Sequence, residues 1–178
     1  MADVAPVRLR PLAEADLALL YRVDTDPSIS APFEWVGFHD PGERRRRFEE
    51  DGFLGGDQSM LALAGPEGAF LGWVCWWAVA GMAPPRSVFE LGIMLLPEHR
   101  GRGIGTEAQR LLADYLFQTT LANRLQAATD VDNQAERRAL EKAGFQLEGQ
   151  RRGISFLGGQ WRDDLLYSRL RQDPTPAP

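Results

Sequence analysis

The residues best suited to chemistry lie in one stretch, Glu90-Leu-Gly-Ile-Met-Leu-Leu-Pro-Glu-His-Arg100-Gly-Arg-Gly103-Ile-Gly105. An apolar run carrying a single carboxylate ends in a turn of arginine and glycine, and an amphipathic pattern follows. Glycines let neighbouring backbone N–H groups converge, and a helix starting there adds the partial positive charge of its N-terminus. The turn is therefore an anion cradle. A Walker A loop needs Gly-Lys-Ser/Thr, and no lysine is near; a dinucleotide G-x-G-x-x-G fails because Thr106 stands at its third glycine. The pattern that fits is [Gln/Arg]-x-x-Gly-x-[Gly/Ala], at Arg100, Gly103 and Gly105.

Other candidates carry two readings each. Glu90, in an otherwise apolar strand, is either a general base with a pKa raised by burial or a structural carboxylate paired with an arginine such as Arg86. Asn133 and Glu136 have the spacing of an N-cap and its capping-box partner, and Asn133 could also touch a ligand. His39, among Phe33, Trp35 and Phe38, lines an acceptor pocket or sits on an exposed loop. The run Arg44 to Arg47 is a solvated helix face or a recognition element. Cys75 lies mid-strand with no histidine beside it in sequence, which argues against a cysteine nucleophile. One cysteine and two histidines are poor material for a metal centre.

The glycine turn, together with the downstream segment Asn133-Gln-Ala-Glu-Arg-Arg-Ala-Leu-Glu-Lys-Ala-Gly-Phe145, resembles the GNAT superfamily of acetyl-CoA-dependent N-acetyltransferases, and within it the RimJ/RimL-like branch. The resemblance runs from about Val7 to Leu170. It includes the opening Leu9-Arg-Pro-Leu-Ala-Glu-Ala-Asp16 and the closing Gly159-Gln-Trp-Arg-Asp163 and Leu166-Tyr-Ser-Arg-Leu170. It implies that the anion is the pyrophosphate of coenzyme A, held by the backbone amides of Arg100, Gly101, Arg102, Gly103, Ile104, Gly105 and Thr106. It places the pantetheine arm against the strand edge at Met94, Leu95 and Leu96, with Asn133 hydrogen-bonding it further along. The N–H of Leu95 or Leu96 would polarise the thioester. Two departures leave the proton donor open: Leu140 stands where many members have tyrosine, and Glu136 where the branch often has serine.

The implied activity is acetyl transfer from acetyl-CoA to a primary amine by direct attack in a ternary complex, with no metal. The acceptor is a protein or peptide N-terminus or a small-molecule amine such as an antibiotic. The alternative from another class is a catalytically silent acyl-CoA-binding module.

Positioning these residues requires a particular set of elements. Alternation predicts strands over 7–12, 60–64, 70–78, 88–96 and 124–129, with further strands over 145–148, 153–157 and 165–171. Helical spacing predicts helices over 13–23, 43–53, 104–116 and 133–143, the last ended by Gly144. Residues 24–42 read as an irregular connection. The expected fold is α/β, an α+β mixed sheet of about six or seven strands flanked by about four helices, in a single domain over 1–171 with a disordered Pro-rich tail over 172–178.

Composition sets limits. The chain has 178 residues, 44% hydrophobic and 25% charged, which is ordinary for one globular domain. A net charge of −5 leaves no electrostatic footprint for nucleic acid. The uncharged stretch 68–85 is broken by glycines and carries Trp73, Trp76 and Trp77 at its middle, so it reads as a buried strand and not a membrane span. No signal peptide is visible at the N-terminus, and the expectation is a cytoplasmic monomer or homodimer.

Overall fold

A computed structural model describes residues 6–35, 37–40, 42–55 and 58–174. Seven strands form one sheet: β1 (Arg8–Arg10), β2 (Gln58–Ala64), β3 (Phe70–Ala78), β4 (Val88–Leu95), β5 (Arg124–Asp130), β6 (Gln146–Leu157) and β7 (Gln160–Leu170). Their spatial order is β1-β2-β3-β4-β5-β7-β6, and every neighbouring pair is antiparallel except β4 with β5. The helices are α1 (Leu17–Thr25), α2 (Pro27–Ser30), α3 (Glu43–Asp51), α4 (Ile104–Thr119) and α5 (Gln134–Lys142).

Alternation along the central strands builds a separate core on each face. Val74, Phe89, Leu91 and Leu125 pack with Leu112 and Leu116 of α4 and Leu140 of α5. Met60, Trp73, Cys75 and Met94 pack on the opposite face with Leu20 of α1 and with Phe53. Each such side chain taken out of water contributes about 1.5–3 kcal/mol. One glycine is needed for the strands to close: a Cβ on Gly72 would lie 2.0 Å from the Met94 carbonyl oxygen, so β3 reaches β4 there only without a side chain.

The expected mixed sheet is present, with local differences. The strands expected over 145–148 and 153–157 are one element, β6, which passes through 149–152 with two register shifts against β7. Arg151 holds that irregular stretch by a bidentate pair with Asp164, at 2.8 and 2.6 Å. The connection expected to be irregular contains α2, which has proline at its start and Asp26 as its cap, accepting from the Ser28 N–H at 2.9 Å. Of the expected tail, 172–174 begin as a turn in which Asp173 accepts from the Leu170 N–H at 2.8 Å. Residues 175–178 and the N-terminal 1–5 lie outside the described residues. No helix among the described residues is long and apolar enough to cross a membrane.

Candidate functional site

β4 and β5 are joined for only three residue pairs: Val88 with Arg124, Phe89 with Leu125, and Glu90 with Gln126. Beyond Glu90 they part, while β4 stays paired with β3 as far as Leu95 and β5 with β7 as far as Asp130. Opening a parallel pair frees backbone N–H and C=O groups along both facing edges. The wedge is a cavity of about 380 Å³, lined by 91–93 on one side and 127–130 on the other. A second cavity, of about 500 Å³, runs from Met94 and Leu95 across the glycine turn to Asn133 and the outer face of α5.

The glycine turn has the features of an anion site. Gly103 is the N-cap of α4 at φ +79° and brings no capping side chain. Among the described residues, no carbonyl or side chain accepts from the N–H groups of Ile104, Gly105 or Thr106; Glu107 is the first to find a partner, at Gly103 O. Arg100, Arg138 and Lys142 line the same cavity, adding positive charge to the helix end.

Most of the residues expected at this site converge there. Met94, Leu95, Arg100, Gly101, Gly103, Gly105, Thr106 and Asn133 all line the larger cavity. Ile104 turns its side chain into the core and has only its backbone N–H to offer; Arg102 is exposed and lines neither cavity. Leu96 does not fit its expected role. Its N–H donates to Leu71 O at 3.0 Å and its side chain is buried. Strand alternation then turns Leu95 the other way, toward the wedge, and its carbonyl accepts from Arg100 Nε at 3.0 Å. Leu95, not Leu96, is the available donor.

Glu90 sits at the closed end of the wedge. Gln126 Nε2 donates to its Oε2 at 2.8 Å, and Glu90 lines neither cavity. Arg86, its alternative partner, instead lies over the Phe89 ring at 5.7 Å. Asn133 caps α5, its Oδ1 accepting from the Glu136 N–H at 3.2 Å. Glu136 does not complete a capping box: its carboxylate points into the cleft and accepts from Gln109 Nε2 at 2.6 Å. None of Tyr21, Tyr115 and Tyr167 lines the cavities, and Leu140 is buried.

A third cavity, of about 330 Å³, opens on the other side, bounded by α1, α3 and the sheet, with His39 among its lining residues. Glu34 is the one residue that lines all three cavities. Its backbone N–H donates to Ser30 O, just past α2, and its carboxylate has no hydrogen-bond or ion-pair partner among the described residues. Glu34 is exposed to solvent along the cleft, although protein atoms crowd around its carboxylate. The surrounding protein pushes its carboxyl up to about 7 against the pull of Arg100, a rise that its solvent contact tempers. Glu136 is also pushed up to about 7, by burial first and then by the charge of Glu34. Cys75 is buried and its thiol is pushed up to about 11, so it holds little thiolate at neutral pH.

Glu34 had one signal in the sequence, a lone carboxylate between Phe33 and Trp35. Among the described residues, no group of three or more His, Cys, Asp or Glu is arranged to hold a metal ion.

Residues 7–146 match the sequence family described as the acetyltransferase (GNAT) domain. The spermidine N(1)-acetyltransferase of Escherichia coli (strain K12) is 26% identical over an alignment of 196 residues, covering 99% of this chain and 95% of that protein. The probable N-acetyltransferase YjcK of Bacillus subtilis is 39% identical over 83 residues, 47% of this chain and 46% of its own, so that match spans about half of each. Among solved structures, a spermidine N-acetyltransferase from Vibrio cholerae in complex with CoA and spermine superposes with a TM-score of 0.80 at 18% identity, covering 94% of this chain and 96% of that one. RimJ of Mycobacterium smegmatis in complex with CoA-disulfide does so at 0.75 and 23%, covering 94% and 83%.

Proposed function

The chain belongs to the acetyltransferase (GNAT) family and is by that membership an N-acetyltransferase, and from this premise we propose that it moves acetyl from acetyl-CoA to a primary amine at the point where the three cavities meet. The carrying observation is that β4 parts from β5 beside a glycine-capped helix N-terminus whose first N–H groups have no partner among the described residues.

The residues fit coenzyme A. The N–H groups of Ile104, Gly105 and Thr106, with Arg100, Arg138 and Lys142 around them, suit a diphosphate. The open edge of β4 at Leu91–Leu95 suits the amides of a pantetheine arm, and Asn133 Nδ2, with no acceptor among the described residues, is a further donor. Bound acetyl-CoA supplies the acetyl group as a thioester.

This chain's own residues supply proximity, charge stabilisation and proton transfer. The N–H of Leu95 faces the wedge and can donate to an oxyanion forming there. Glu34, unpaired and poised near neutral pH, takes the proton from the incoming ammonium. Glu136, whose carboxyl burial also raises, lines the same cleft one helical turn before Leu140 and is a second carboxyl able to carry a proton there. Glu90, engaged by Gln126, braces the end of the wedge and is not the base. A cytoplasmic setting suits the free thiol of Cys75.

Coenzyme A release, followed with a thiol reagent across a panel of amines, tests the reading. Turnover of at least one amine is expected, and acetyl-CoA should raise the melting temperature, with a gain of ~2.7 kcal/mol at about 100 Kd. No thermal shift at saturating acetyl-CoA would sink it.

A further inference from the structure

α3 carries four consecutive arginines, and the structure separates them. Arg44 makes a bidentate pair with Asp24, both contacts at 2.9 Å. Arg45 reaches Glu14 at 3.2 Å and Glu49 at 3.6 Å. Arg46 meets Asp40 at 2.6 Å. Arg47 alone has no carboxylate among the described residues: its Nη1 lies 3.5 Å from Gln58 Oε1, at the limit of a hydrogen bond, and its guanidinium lies 5.2 Å over the Phe53 ring. It is half-buried and lines the cavity of about 330 Å³ that also holds Glu34.

The charges lining that cavity can be followed in turn. Asp24 is neutralised by Arg44. Glu34, on the proposed reading, receives the ammonium of the acceptor. Glu43 and His39 are both exposed. What remains among the described residues is the Arg47 guanidinium, partly removed from water, with only a marginal neutral acceptor. An anion is the partner that satisfies it, because a charge-assisted, bidentate-capable hydrogen bond is roughly twice as strong as a neutral one. Trp35, Phe53, Trp73 and Met94 give the same cavity an apolar lining.

We propose that the acetyl acceptor is an amine that also carries a carboxylate, its ammonium meeting Glu34 and its carboxylate meeting Arg47. The inference rests on the acetyltransferase reading and names the class of acceptor for that site. It sets this chain apart from an enzyme for polyamines, whose second ammonium would be brought against an arginine. A carboxylate can come from a free amino acid or from an acidic side chain in a peptide, and the two sources are separable by experiment.

The test uses the full chain and matched pairs: leucine with leucinamide, phenylalanine with phenylalaninamide, 6-aminohexanoate with hexylamine, and amidated Ala-Glu and Ala-Gln peptides, with spermidine beside them. In at least one pair the carboxylate member should have the higher kcat/KM, by roughly tenfold or more, the usual worth of a hydrogen bond to a charged group. Arg47→Ala should collapse that ratio and Arg47→Lys should restore part of it, with circular dichroism checking that both variants fold. Preference confined to the amino acids identifies a small-molecule acceptor, and preference confined to the Ala-Glu peptide identifies a peptide. If acetyl-CoA binds and amines are turned over but the neutral members or spermidine do as well in every pair, the inference is wrong while the acetyltransferase reading stands. A ratio that survives Arg47→Ala overturns it equally. If acetyl-CoA shows neither binding nor transfer, both fall together.

Discussion

Arg100 donates to the backbone carbonyl of Ile29, joining the glycine turn that follows β4 to the short helix that leads into Glu34. The same guanidinium donates to Leu95 O at 3.0 Å, so one side chain ties the anion cradle, the wedge edge and the acceptor side together. Its positive charge also holds the Glu34 carboxyl lower than burial alone would. Arg100→Ala should therefore do two things: weaken acetyl-CoA, and move the acidic limb of the pH–rate profile to higher pH as Glu34 loses a stabilising charge. Calorimetry and a kcat/KM profile would read the two effects. A weakened coenzyme with an unmoved limb would mean that Glu34 is not the titrating group.

Glu34→Gln and Glu90→Gln give a direct comparison of two carboxylates in the same cleft region. If Glu34 takes the amine proton, its replacement should lower kcat by ~10²–10⁴, the usual worth of a positioned base, with acetyl-CoA affinity kept. For the wild type, kcat/KM should rise as pH passes upward through about 7, and Glu34→Gln should flatten that rise. Glu90→Gln keeps an oxygen that can accept from Gln126, so it should change the melting temperature little and cost far less in rate. The reverse ranking would return the role of base to Glu90.

The parts of this site that depend on local pattern were legible in the sequence, and the parts that depend on distant partners were not. The strand, glycine turn and amphipathic helix over 88–119 follow from local periodicity and from what glycine permits. Asn133 as a helix cap follows from its spacing alone. The same spacing misassigned Glu136, because Gln109 on α4, 27 residues away, claims its carboxylate. Leu96 read as a free donor because only the register with β3 shows that Leu71 takes its N–H. Glu34 was hidden for a similar reason. Its segment has no period, and its position depends on a four-residue helix pinned by Arg100 from the other side of the cleft.

Stability should carry the signature of the two raised carboxyls. Glu34 and Glu136 bind protons in the folded state at pH values where the unfolded chain has lost them. The folded state then holds the greater number of protons between about 4.5 and about 7, so unfolding free energy should fall as pH rises across that window. The loss is tempered because solvent reaches the cleft. Glu136→Gln should shrink the fall, raising the denaturation midpoint at pH 8 relative to wild type more than at pH 5. Urea titrations at the two pH values measure this. Equal shifts at both would mean that Glu136 titrates in its ordinary range.

A matched pair of glycines separates backbone strain from obstruction of the cradle. Gly103, the cap of α4, has φ +79°, and Gly81, in the turn between β3 and β4, has φ +78° with nothing within 4 Å of a built Cβ. Valine at either position meets the same disfavoured backbone region, at a cost of ~1–3 kcal/mol. Both variants should therefore lose similar stability in thermal melts. Only Gly103→Val sets a branched side chain beside the orphan N–H groups of Ile104, Gly105 and Thr106. It should weaken acetyl-CoA by roughly 10–100-fold, the worth of a hydrogen bond to a charged group, while Gly81→Val leaves the affinity alone. If both weaken the coenzyme equally, the effect is one of general stability. If neither does, the anion site lies elsewhere in the wedge.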